Sequence, residues 1–131
     1  MRKPIAFQPN LAGLKYLTDR EKAALSEFVA KLREKYGDEL VLVRLFGSKV
    51  RGDFDEESDL DVVVVVEGDG WRFHREISFI GSRVSLDYGV NVSPKAVNRS
   101  LYRKLQKLRT PFYENVQAEG VELWNRKGSK L

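Results

Sequence analysis

The 131-residue sequence predicts an α+β fold with a small mixed sheet flanked by helices, on three observations. Two short runs, Leu40–Phe46 and Leu60–Val66, are dense in valine and leucine, as strands buried on both faces are. Stretches with apolar residues at helical spacing lie before, between and after such runs. The connector over 47–58 is barely as long as the crossover that parallel pairing needs, so the two strands are expected to pair antiparallel.

Each element has its own signal. Residues 1–17 read as an arm, with Pro4, Pro9 and Gly13 breaking any periodicity. A helix then begins at Thr18, and Glu21 completes a capping box. Leu25, Phe28, Val29, Leu32 and Tyr36 share its apolar face, and Gly37 stops it. The valine run over 62–66 favours strand, because β-branched side chains lose rotamer freedom in a helix. Residues 67–70 form a turn. The next stretch carries two periodicities. Phe73, Ile77, Ile80 and Val84 follow a helix face, whereas Val84, Leu86, Tyr88, Val90 and Val92 alternate as in a strand. The preferred reading is a helix over 71–87 and a third strand over 89–97; the alternative ends the helix near Gly81 and starts the strand near Val84. Pro94 makes this strand an edge or ends it. A basic helix is expected over 98–109, a short helix after Pro111, a break at Gly120 and a short strand over 121–124. The tail over 125–131 reads as polar and frayed.

The composition limits the chemistry. With 42% hydrophobic and 32% charged residues, the chain reads as one globular domain over 1–131. No apolar run approaches a membrane span, and no secretory signal is visible, so a cytoplasmic location with no membrane contact is expected. The absence of cysteine removes disulfides, thiolate catalysis and cysteine-based metal sites. A net charge of +4 is compatible with a polyanionic ligand and does not establish one. His74 is the one histidine, which leaves no histidine-based triad or zinc site.

The chemistry concentrates between Phe46 and Asp61. Asp59 and Asp61 stand two apart at the head of a strand, so their side chains share a face and repel. A magnesium ion between them relieves that repulsion and takes phosphate oxygens as its other ligands. A pair of such ions can activate an attacking oxygen and stabilise a leaving pyrophosphate. Gly47 follows the first strand directly and permits close approach of backbone to ligand. Ser48 adds a hydroxyl, and a helical turn starting there would turn N–H groups toward an anion. Antiparallel pairing puts the end of one strand beside the start of the other, so the glycine–serine turn and the two acids would meet at one sheet edge.

This segment resembles the signature of the polymerase β-like nucleotidyltransferase superfamily, on Gly47, Ser48, Arg51, Gly52, Ser58, Asp59 and Asp61. Val50 stands where the family often has alanine. The chain is similar in size and layout to the minimal nucleotidyltransferase branch, and the segment over 110–124 resembles the ends of those proteins. The resemblance implies a palm-like mixed sheet, magnesium dependence and transfer of AMP from ATP to a protein or other hydroxyl acceptor. It implies Gly47, Ser48, Arg51 and Ser58 as nucleotide-binding residues, and Asp59 and Asp61 as catalytic metal ligands. It also implies a third carboxylate on the third strand. Asp87 fills that role only if the strand starts early; on the preferred reading the strand holds no acid, and Ser93 is a candidate for the place. The resemblance further implies a small helical partner protein, in some cases the toxin of a toxin–antitoxin pair. Two alternatives stand beside this reading: an inactive nucleotide- or partner-binding module of the same fold, and an RNA-binding domain. Oligomeric state is left open.

Other residues have plainer readings. Asp53, Asp55, Glu56 and Glu57 read as a solvated loop; as a calcium loop the run fails, with Ser58 at the turn-glycine position and Val64 at the closing-glutamate position. Arg51 is read equally as a phosphate ligand and as an ion-pair partner, Lys49 as surface, and Trp71, Phe79 and Trp124 as core or interface. Arg99, Arg103 and Lys107 share a helix face that reads as solvated, with contact to RNA phosphates as the functional alternative.

Overall fold

The computed structural model describes residues 14–52, 58–68 and 71–126. The elements in order are α1 (Asp19–Tyr36), β1 (Leu40–Phe46), α2 (Ser48–Arg51), β2 (Leu60–Val66), α3 (Trp71–Tyr88), β3 (Val92–Asn98), α4 (Arg99–Leu108), α5 (Pro111–Glu119) and β4 (Val121–Asn125), with a turn of 3-10 helix at Gly37–Glu39. The sheet order is β3-β2-β1-β4. Strands β1 and β2 pair antiparallel, β1 and β4 antiparallel, and β2 and β3 parallel, so the sheet is mixed as expected.

The two central strands explain the apolar runs. On one face Val43, Leu45, Val62, Val64 and Val66 join Leu25, Phe28, Val29 and Leu32 of α1 and Ile77 and Val84 of α3. On the other face Val41, Val63 and Val65 meet Tyr102 of α4 and Tyr113 and Val116 of α5. A strand covered on both sides has no solvated face, so its residues need not alternate. The helix starts follow their caps. Thr18 and Glu21 form the full capping box, Asn98 accepts from the Leu101 N–H, and Thr110 caps α5 with Pro111 in its first turn.

The ambiguous stretch resolves in favour of the helix, which runs to Tyr88, and β3 begins at Val92. Burial decides it: Ile77, Gly81 and Val84 face the sheet at helical spacing, while Leu86 is exposed. Gly81 is small for a reason, since a Cβ there would lie 3.0 Å from Pro94 Cγ. Pro94 sits within β3, which is a sheet edge, where a missing N–H costs no ladder bond on the open side. Both chain ends of the described region are better anchored than expected. Leu14 and Leu17 of the arm are buried. Asn125 completes β4, and Arg126 donates to Glu67 and to the Asp38 carbonyl. The rest of the arm, residues 1–13, the acidic loop over 53–57 and the tail over 127–131 lie outside the described residues. No described helix is long and apolar enough to cross a membrane.

Candidate active site

The site is assembled where β1 ends and β2 begins. Phe46 pairs with Asp61 across the antiparallel ladder, so the expected meeting of the two motifs occurs. Contact at Gly47 is tight: a Cβ on it would lie 2.5 Å from Asp61 Oδ2. Gly47 has φ 92° and ψ −162°, a region that essentially only glycine occupies. A short helical turn does start at Ser48, closed by amides of Val50 and Arg51 returning to the Gly47 carbonyl. Gly52 ends it with a left-handed backbone, and the Tyr16 ring lies against the space a side chain would fill.

Asp59 is exposed just before β2, and Asp61 is half-buried on it. Burial pushes the Asp61 carboxyl above its ordinary range; the Lys95 ammonium opposes this, Asp59 adds to it, and Arg51 opposes it. An acid pair in which one member resists ionisation is what a divalent cation would relieve. Two hard oxygen donors whose charges couple are chemistry that fits a magnesium ion. Ser58 precedes the pair and is half-buried.

Asp87 does not join them. It lies in the last turn of α3, exposed, and lines a surface hollow with Lys31, Glu34, Lys35, Phe79, Ile80 and Arg83. Among the described residues no three metal-ligating side chains cluster. The third strand instead offers Ser93, the register partner of Asp61, and Lys95, whose Nζ donates to Ser93 Oγ at 3.1 Å.

Three further residues of this corner escaped the sequence reading. Lys49 is not at the surface: it is 6% exposed and pairs with Glu21 at 2.8 Å. Burial pushes the Glu21 carboxyl up, but the hydrogen bonds from Lys49 and Thr18 outweigh it and hold the group below its ordinary value. Glu119 accepts the Gly47 N–H at 3.0 Å and an Arg51 guanidinium N–H at 2.8 Å, so Arg51 does have the ion-pair role. Lys95 comes beside Asp61 through strand register alone. Lys49 and Glu119 gave no periodic signal, because each is defined by a partner far away in sequence.

The other expectations divide. Trp71 and Phe79 are 78% and 64% exposed and are not core, whereas Trp124 is half-buried with the Arg33 guanidinium over its ring. Arg99 departs from the solvated basic face of α4, since it pairs with Glu67 at 2.9 Å.

A glycine-led turn thus presses against Asp61, with Asp59 just ahead of the same strand, on a mixed sheet covered by helices. Residues 25–115 match the nucleotidyltransferase domain, and the chain belongs to that family. Two relatives from Methanocaldococcus jannaschii bear the name "Putative protein adenylyltransferase". One is 36% identical over 104 residues, covering 79% of this chain and 98% of its own. The other is 38% identical over 100 residues, covering 76% and 94%. In structure, the chain is similar to a toxin–antitoxin protein crystallised with AMP-PNP, with a TM-score of 0.52 and 20% identity over 76% of this chain and 73% of that one. It is also similar to a mutant of the toxin–antitoxin MntA-HpeT, with a TM-score of 0.50 and 18% identity over 76% and 72%. At these identities the structural likeness shows the fold.

Proposed function

We propose that the chain transfers AMP from ATP to a protein hydroxyl with the help of magnesium. The carrying observation is the close approach of the Asp61 carboxylate to Gly47, which joins a metal-binding pair to a phosphate-approaching turn. The names of the curated relatives support a protein acceptor and an adenylyl group. The structural neighbours are toxin–antitoxin proteins, and a companion protein is the acceptor this reading favours.

In this reading Asp59 and Asp61 would hold the metal, which would supply charge neutralisation for the triphosphate and the leaving pyrophosphate. Gly47 lets the backbone approach the triphosphate, and the Ser48 hydroxyl donates to it. Arg51 and Ser58 shape the loop around it. Lys95 brings a positive charge beside Asp61, from the strand on which a third acid was expected. The acceptor oxygen bonds to the α-phosphorus, the bond from that phosphorus to the bridging oxygen breaks, pyrophosphate leaves with the bonding pair, and the hydroxyl proton passes to water.

Calorimetric titration with ATP, with and without magnesium, tests the site. Magnesium-dependent binding that is lost in Asp59→Asn/Asp61→Asn supports it; a wild type that binds no ATP refutes it. Asp87 lines a separate surface hollow and, among the described residues, forms no three-ligand cluster with the acid pair, which favours a second reading, a module that binds nucleotide without transferring it. Mass spectrometry of co-purified proteins incubated with ATP and magnesium separates the two. A mass gain of one AMP supports transfer, and ATP binding without any such gain supports the module.

A further inference from the structure

We propose that Glu119 is a positioning residue for the nucleotide-facing loop: its carboxylate ties Gly47 and Arg51 together and holds residues 47–51 in the binding shape. The proposal rests on the nucleotide reading above and deepens it.

Glu119 is fixed by the chain on both sides. Before it, α5 is seated on the sheet by buried Tyr113 and Val116. Phe112 of the same helix meets Phe46 edge-on, with ring centroids 5.6 Å apart. After it, the helix stops at once. The Gly120 N–H returns to the Val116 carbonyl, and a Cβ on Gly120 would run into that same carbonyl. The chain then enters β4, where Val121 pairs with Leu45. The corner between α5 and β4 is therefore held beside the last residues of β1, and the Glu119 side chain reaches from it to the loop.

One oxygen does the tying. Glu119 Oε1 accepts from the Gly47 N–H at 3.0 Å and from Arg51 Nη1 at 2.8 Å. These are the first residue of the turn and the last residue of α2, so the carboxylate spans the whole loop. The loop needs such a partner, because Gly47 has no side chain to restrain its φ of 92°. A loop ordered before the ligand arrives does not lose that freedom on binding, and so binds more tightly.

The test combines ATP–magnesium titration with amide exchange in ligand-free protein, on wild type, Glu119→Gln and Glu119→Ala. Two hydrogen bonds that order the loop correspond together to about tenfold in affinity. Glu119→Ala is expected to lose about that much, with faster exchange confined to residues 47–52. Glu119→Gln keeps an oxygen that accepts both donors and is expected to stay within about threefold of wild type. Should Glu119→Ala fail to fold, Glu119→Asp replaces it, with its carboxylate drawn back by one methylene and the same weakening expected. Unchanged ATP affinity in the alanine or aspartate variant overturns the proposal. Tighter binding also overturns it, since the carboxylate would then compete with phosphate for the same donors. A Glu119→Gln variant as weak as Glu119→Ala overturns it as well, because charge and not position would be at stake. A wild type that binds no ATP refutes the nucleotide reading and this proposal with it, whereas wild-type binding beside an indifferent Glu119→Ala refutes this proposal alone.

Discussion

Replacing Lys49 with methionine separates the structure from the pattern-based view of this residue. Lys49 Nζ and Glu21 Oε2 are 2.8 Å apart, with side chains 7% and 12% exposed. Methionine fills the volume of the lysine stem and removes the charge, leaving Glu21 with little water. Removing one member of a buried pair costs about 3–5 kcal/mol. Glu21 keeps the Thr18 N–H at 2.9 Å, which places the expected loss at about 3 kcal/mol, the lower end of that range. For a chain of this size that is roughly 10 °C in melting temperature. A surface lysine would cost within about 0.5 kcal/mol. The acid dependence follows from the Glu21 carboxyl, which is held below its ordinary value. Such a group contributes stability at neutral pH, and that contribution is lost as pH falls through its folded value. In Lys49→Met the unpaired carboxylate is instead relieved by protonation, so the gap between variant and wild type narrows as pH falls from 7 toward 4. Thermal unfolding followed by circular dichroism across that range is the assay. Glu21→Leu/Lys49→Met, which removes both charges, is expected to recover most of the loss. A single-variant drop under about 2 °C, the surface expectation, or a gap independent of pH, would refute the reasoning.

Other expectations follow from the same corner. Gly47→Ala forces a side chain onto a φ of 92° and toward Asp61 Oδ2; it should cost about 1–3 kcal/mol in a denaturant melt and abolish ATP binding. Lys95→Met should weaken magnesium–ATP binding about tenfold or more by calorimetry, and an unchanged affinity would remove Lys95 from the phosphate site. Asp61→Asn should raise the melting temperature of the metal-free protein at pH 7, because it relieves a half-buried charge that faces Asp59; a lowered value would show that Asp61 is already well compensated. Asp87→Asn should leave ATP affinity unchanged, since that residue lies in the hollow lined by Lys31 and Arg83.

The sequence by itself determined whatever depends on neighbours along the chain. Capping of α1 by Thr18 and Glu21 spans three residues. The valine run could be little but a strand, because β-branched side chains crowd a helix and suit a doubly covered sheet. The antiparallel meeting of Gly47 with Asp61 followed from the short connector. What the tertiary structure alone decided involves partners far apart in sequence. The stretch around Val84 satisfied both periodicities, and only packing of Ile77, Gly81 and Val84 against the sheet made it helix, which put Asp87 on the last turn of α3 and not on the third strand. Lys49 is buried because α1 brings Glu21 to it, and Lys95 nears Asp61 because β3 pairs with β2 in one register. Glu119 reaches Gly47 across 72 residues of sequence. Spacing cannot encode such contacts, because each is made only once the helices have packed on the sheet and its strands have found their register.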